Sequence, residues 1–238
     1  MTPTPVDWIL AAVFVLVLPA WSLVTWPGFI AAAKANRPGV RTRAYVEVIV
    51  SQWALCLILL AWWFVCARPW SALGLGDPFE TRSVWVVVVA IAGLATYHAH
   101  AVGKTSAEEL VAGQAALGEV IHLLPQTPLE RRLFRIVAVT AGVCEELAYR
   151  GFVLWLVATL VPSWAAVSIS TLVFGLAHAY QGPKGIVRTG VVGGLMAGLV
   201  LWSGTLWPAM LLHAIIDVHG GIVGGRVASA RVTSDAAA

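Results

Sequence analysis

The chain reads as an all-α polytopic membrane protein, a bundle of about seven transmembrane helices with one amphipathic helix at the interface. Three observations carry that expectation. Of its 238 residues, 59% are hydrophobic and only 11% are charged, far from the composition of a soluble domain. The mean hydropathy is +0.84, and the 12 tryptophans suit the aromatic belts of membrane proteins. The apolar residues fall into runs long enough to span a bilayer, separated by short polar or basic links. A net charge of +3 spread over those links argues against a nucleic-acid surface. The three cysteines (Cys56, Cys66 and Cys144) are odd in number and lie in or at the ends of apolar runs, so no disulfide framework is implied. Cys144 has no histidine beside it in sequence to activate it, and reads as a small residue filling a helix contact.

The first span covers about Trp8 to Trp26. It lacks the basic n-region of a cleavable signal, and Pro19 is expected to kink it. A link with Lys34, Arg37, Arg41 and Arg43 leads to a second span, Tyr45 to Cys66, with Glu47 near its start, where a carboxylate suits the helix dipole. Pro69, Gly74, Gly76 and Pro78 then break the pattern. Gly74-Leu75-Gly76-Asp77 is weakly similar to the Gly-x-Gly-Asp signature of presenilin-like aspartyl proteases. Such a dyad needs two facing carboxylates, so the stretch reads as a turn. A third span, Ser83 to Tyr97, precedes the amphipathic helix, Lys104 to Leu124. His98, His100 and His122 read there as interfacial polar residues. The fourth span enters through Arg131, Arg132 and Arg135 and is exhausted near Val161. Pro162-Ser163 turns into the fifth, which runs to about Tyr180. In the sixth, ending near Trp202, Gly190, Gly194 and Gly198 recur every four residues, a spacing that lets helices approach closely. The seventh begins near Leu206, and a polar, flexible tail follows from Arg226 to Ala238. The chain therefore divides into N-terminal spans with the interfacial helix (1–130), a core (131–225) and a tail (226–238).

Counting bases orients the spans. With the N-terminus outside, twelve lysines and arginines fall on the cytoplasmic side and only Arg68 and Arg82 on the other, so the N-terminus is expected outside and the C-terminus in the cytoplasm.

Ionisable residues inside the spans are costly and default to a functional reading. The fourth span holds Glu145, Glu146 and Arg150, the fifth His178, and the seventh His213 and Asp217. On a helix adjacent residues point about 100° apart, so Glu145 and Glu146 serve different directions. Glu146 and Arg150 stand four apart and are expected to pair as a structural ion pair. Glu145 is then left without a partner, free for chemistry. His213 and Asp217, again four apart, share a face. The limits of the spans put His178 near the cytoplasmic end, Glu145 at mid-depth and His213 in the outer half.

Glu145-Glu146-x-x-x-Arg150, Phe174-x-x-x-His178 and His213-x-x-x-Asp217, in this order and each within an apolar span, resemble the CPBP family. These are the CAAX-protease and bacteriocin-processing (Abi-type) intramembrane endopeptidases, which include the type II CAAX prenyl endopeptidases. The resemblance covers about Arg131 to Val223. It implies an integral membrane protease, in a bacterial plasma membrane, acting on a membrane-anchored peptide or protein. Glu145 would activate water, His178 would help hold it, and His213 with Asp217 would stabilise the oxyanion or bind metal. Glu146 and Arg150 would brace the helix. Asp217 stands where the type II CAAX enzymes carry Asn, and a carboxylate cannot donate to an oxyanion unless protonated. Tyr149 replaces the family's usual Phe, a change expected to matter little.

The chemistry is consistent without the family name. Amide hydrolysis needs a base for water and a donor for the oxyanion. Glu145, His178, His213 and Asp217 could equally hold Zn2+ with an open position, so the cofactor is either zinc or none. The chain has no His-Glu-x-x-His. Two other readings stand beside the protease: a catalytically silent scaffold of the same fold, and a proton-coupled transporter.

Overall fold

The computed structural model describes residues 1–77 and 117–235, with side chains to residue 225, and scattered helical positions between 84 and 96. Apart from those positions, the third expected span lies outside the described residues, as do His98, His100 and most of the expected amphipathic helix. All regular structure among the described residues is helical: α1 (Pro5–Lys34), α2 (Val40–Val65), α3 (residues 128–158), α4 (Ser163–Ala177), α5 (Gly182–Ser203) and α6 (Trp207–Asp235). Helices α1 and α2, the stretch Ala179–Ser203 that contains α5, and α6 over Trp207–Gly225 are each long and apolar enough to cross a membrane. Helix α4 is apolar but shorter, at 15 residues. The chain is an all-α membrane helix bundle.

Local sequence sets the helix ends. Pro128 opens α3 at the first helical position, where its missing N–H costs nothing. The Thr127 hydroxyl accepts from the Glu130 N–H at 3.2 Å, and Glu130 returns the favour to the Thr127 N–H at 2.9 Å. This capping box starts the helix three residues before the arginines that the hydropathy suggested. In α1, Asp7 accepts from the Thr4 N–H at 2.7 Å. Helix α2 already begins at Val40, so Arg41 and Arg43 belong to it rather than to the link. Glu47 lies in its third turn, beyond the reach of the dipole.

Pro19 acts through a π-helical turn, Val13–Val17. In that turn each N–H bonds five residues back, and the Leu18 N–H reaches the Val13 carbonyl. The next donor in the series would be Pro19, which has no N–H, so the Phe14 carbonyl would be orphaned. The Tyr149 hydroxyl donates to it at 3.0 Å. Tyr149 is thus not a neutral replacement for Phe: its hydroxyl satisfies a backbone group that Pro19 leaves open.

Two polar clamps close the ends of the bundle, the first of them buried. At one, Arg68 donates to both oxygens of Asp7 at 2.7 and 2.6 Å, Trp62 Nε1 adds a bond at 3.1 Å, and the guanidinium lies over Trp63 and Trp155. Just before Gly74–Asp77, the stretch read as a turn, Trp70–Leu73 form a 3-10 turn whose Leu73 is fully buried. Gly74, with φ +80°, presents its carbonyl to the Leu206 N–H at 2.8 Å, and Gly76 accepts from Trp207 Nε1 at 2.9 Å. At the other end, Lys34 pairs with Glu119 at 3.0 Å. Arg41 Nε donates to the His122 carbonyl at 2.8 Å, and the Tyr45 hydroxyl donates to the Leu123 carbonyl. The described end of the expected amphipathic helix is therefore a 3-10 turn, Gly118–Leu123, with Ile121 and Leu124 buried against the bundle.

Candidate active site

The site is built on α3, whose central stretch Glu146–Val153 is a π-helical turn with every residue buried. A helix buried all round sits inside a bundle rather than at its edge. Helix α6 runs antiparallel to it at close range. A Cβ on Gly142 would lie 2.7 Å from the Met210 carbonyl and 2.8 Å from Ala214, so only glycine permits this approach.

The register of these helices decides the depth of the site. Leu206, at the head of α6, packs beside Gly151, where a Cβ would meet its Cδ1 at 3.2 Å. Helix α6 therefore starts roughly two turns short of the end of α3. The 3-10 turn at Trp70–Leu73 occupies the space above. His213 consequently drops opposite Glu146 instead of staying in an outer half. Helix α4 returns from the Pro162 turn for 15 residues, so His178 at its end comes level with Glu145. The three depths expected from the span limits are one depth.

Six side chains from three helices meet there in two groups. Glu145 Oε2 lies 3.9 Å from His178 Nε2. The Nδ1–H of His178 donates to the Phe174 carbonyl at 2.9 Å. A carbonyl can only accept, so in the neutral ring Nε2 is the unprotonated nitrogen, and it faces the Glu145 carboxylate. Glu146 Oε1 accepts from Arg150 Nη1 at 3.1 Å and from His213 Nδ1 at 2.7 Å. His213 Nε2 lies 3.6 Å from Asp217 Oδ2. Glu146 thus does more than brace its own helix: it joins α3 to α6 and orients His213. Asp217 is the most open of the set, its side chain 39% exposed, whereas those of Glu145 and His178 are 17% and 16% exposed.

Phe174 organises the group. Its ring carries the Arg150 guanidinium at 3.9 Å, a cation–π contact, and packs against Tyr149, His178 and His213. Gly193 of α5 leaves the room: a Cβ there would lie 2.5 Å from Arg150 Nη2 and 2.8 Å from Phe174. Of the glycines in the four-residue repeat, Gly194 faces Thr171 of α4 and the Gly190 backbone lies 3.3 Å from where Gly175 would carry a Cβ, while a Cβ on Gly190 or Gly198 would meet nothing within 4 Å.

One partner had no counterpart in the motifs. Gln52, on α2, donates its Nε2 to Glu145 Oε1 at 2.8 Å, so Glu145 is not without a partner as its neighbours in sequence suggested. The signal was present as an amide within a long apolar span, where polar side chains seek a hydrogen bond across helices.

The donors do not converge as a zinc site requires. Among the described residues no group of three His, Cys, Asp or Glu side chains could hold a metal ion. His178 gives Nδ1 to a backbone carbonyl and His213 gives Nδ1 to Glu146, so each ring has only Nε2 left to offer.

A carboxylate and a histidine therefore face each other from two helices of a membrane bundle. Residues 128–219 match the family described as Type II CAAX prenyl endopeptidase Rce1-like. This segment, which carries Glu145, His178, His213 and Asp217, is thus similar to a family of CAAX proteases. Comparison with curated proteins and with solved structures finds no match for the chain. The bilayer and a membrane-associated substrate follow from the family and from the apolar helices.

Proposed function

We propose that the protein is an intramembrane endopeptidase in which Glu145 is the general base and His178 its partner. The observation that carries this reading is the pair of free acceptors, Glu145 Oε2 and His178 Nε2, facing each other at 3.9 Å. A water within hydrogen-bond reach of both would lose a proton to one and be oriented by the other. The resulting hydroxide attacks the scissile carbonyl, and the proton passes from Glu145 to the leaving amine as the C–N bond breaks. His213 faces carboxylates with both ring nitrogens, and its Nε2 edge is the donor for the tetrahedral oxyanion. Asp217, 3.6 Å from that nitrogen, then supports the charge of His213 electrostatically instead of touching the oxyanion itself. No step is routed through a metal. Residues 131–225 form the catalytic core, and residues 1–130 supply supporting spans.

The substrate is a membrane-anchored peptide, of the prenylated CAAX type or a leader peptide. The setting is the bacterial plasma membrane, with the N-terminus outside and the C-terminus in the cytoplasm. Thiol labelling at Asn36 and Ser234 is expected to place both on the cytoplasmic side; opposite sides would refute the orientation together with the seven spans.

The deciding experiment is turnover of membrane peptides by purified protein. Glu145→Gln is expected to fold and to cleave nothing. Glu145→Asp should retain little, because withdrawing the carboxylate by about 1.5 Å spoils its approach. A folded Glu145→Gln protein that cleaves at the parent rate would end this reading. The same assay separates a protease from a silent scaffold or a transporter, neither of which turns over a peptide.

A further inference from the structure

We propose that Gln52 is the positioning residue of the catalytic base. The inference rests on the reading of Glu145 as that base and deepens it. Gln52 stands on α2, outside the segment that carries the family pattern, and its Nε2 donates to Glu145 Oε1 at 2.8 Å. Pinning one oxygen of a flexible carboxylate fixes the other. With Oε1 held by Gln52, Oε2 is the oxygen that faces His178 Nε2. The amide has one productive orientation, since turning it round would set two acceptors against each other.

The alternative role, a polar tie between α2 and α3, already has other bearers. Trp53 Nε1, one residue along α2, donates to Thr140 Oγ1 of α3 at 3.0 Å. One turn further, Cys56 is buried in the same core as Cys144. That packing stays if the amide goes. Gln52 Oε1, by contrast, is buried and meets no protein donor. Burying an acceptor without a partner is unfavourable, so a purely structural tie would have been better made by a residue without one.

The test uses purified full-length protein and a quenched, farnesylated CAAX-type peptide in vesicles of phosphatidylcholine and phosphatidylglycerol. Gln52→Met keeps the length of the side chain and removes the donor. We expect kcat to fall about 10–100-fold, as for other partners that orient an active group, with KM within about twofold and the melting temperature in detergent unchanged. Because a positioning residue acts through another, Gln52→Met should cause a much smaller fractional loss in a Glu145→Asp background, which keeps some residual turnover, than in the parent. A folded Gln52→Met protein with the parent kcat overturns the proposal. So does an equal fractional loss in both backgrounds, which marks a structural tie. If Gln52→Met fails to fold, Gln52→Asn keeps the amide and withdraws it by one methylene. It is expected to fold with reduced kcat and unchanged KM, and parent-like kcat there is equally fatal. Glu145→Gln is read separately: its activity at the parent rate overturns the base assignment, whereas its inactivity beside a fully active Gln52→Met overturns only the role of Gln52. A parent protein that leaves the peptide intact overturns both.

Discussion

Arg150 and Glu146 show how little freedom a single residue has in this core. Both side chains are fully buried, and Glu146 serves Arg150 and His213 with one oxygen. Removing one partner of a buried ion pair typically costs about 3–5 kcal/mol, because the other charge is left uncompensated. Arg150→Ala is therefore expected to lower the melting temperature in detergent sharply; an unchanged melt would show that the pair carries no stability. Tyr149 offers a milder case. Tyr149→Phe removes only a hydroxyl but leaves the Phe14 carbonyl buried without a donor, a loss of about 1–3 kcal/mol. The paired variant Pro19→Ala, Tyr149→Phe should lose less than Tyr149→Phe alone, since alanine restores a backbone N–H to that turn. Thermal melts of the three proteins check this.

Between elements, contact distance matters more than chemistry. Helices α3 and α6 meet where Gly142 faces Met210 and Ala214, and His213 reaches Glu146 only because of that closeness. Gly142→Val must push the helices apart. Overpacking of this kind costs about 1–3 kcal/mol. It is expected to reduce cleavage further than the stability loss explains, because His213 moves off its carboxylate. Gly198→Ala, which meets open space, is the control and should leave melting and turnover unchanged. Equal behaviour of the two variants would show that helix spacing does not govern the site.

For the molecule as a whole, α1 belongs to the bundle that holds the site and is more than an added span. It enters the core through Leu10 and Phe14, caps the Tyr149 hydroxyl, and is locked by Asp7 to Arg68 between Trp63 and Trp155. Asp7→Ala should destabilise the protein by about 3–5 kcal/mol, and Asp7→Ala with Arg68→Met by less, since the double change leaves no charge stranded. A double-mutant cycle of melting free energies measures the coupling. Additive effects would show that the clamp is idle.

The sequence alone determined the class and the order of its parts. Periodic apolar runs permit only helices in a bilayer, because backbone groups there must be satisfied within each segment. Charges inside such runs mark a site, because their cost is otherwise unrecovered. Glu145, Glu146, Arg150, His178, His213 and Asp217 could all be named on those grounds, and the spacing of Glu146 and Arg150 put them on one face. What the sequence could not decide was which of these groups meet across helices. That depends on register: where α6 starts against α3, and how far α4 returns from its turn. Both are settled by packing at Gly142, Gly151 and Leu206, contacts between residues far apart in the chain. Gln52 and Asp7 escaped notice for the same reason. Nothing within a few residues of either one points to Glu145 or Arg68, and only the folded bundle brings them together.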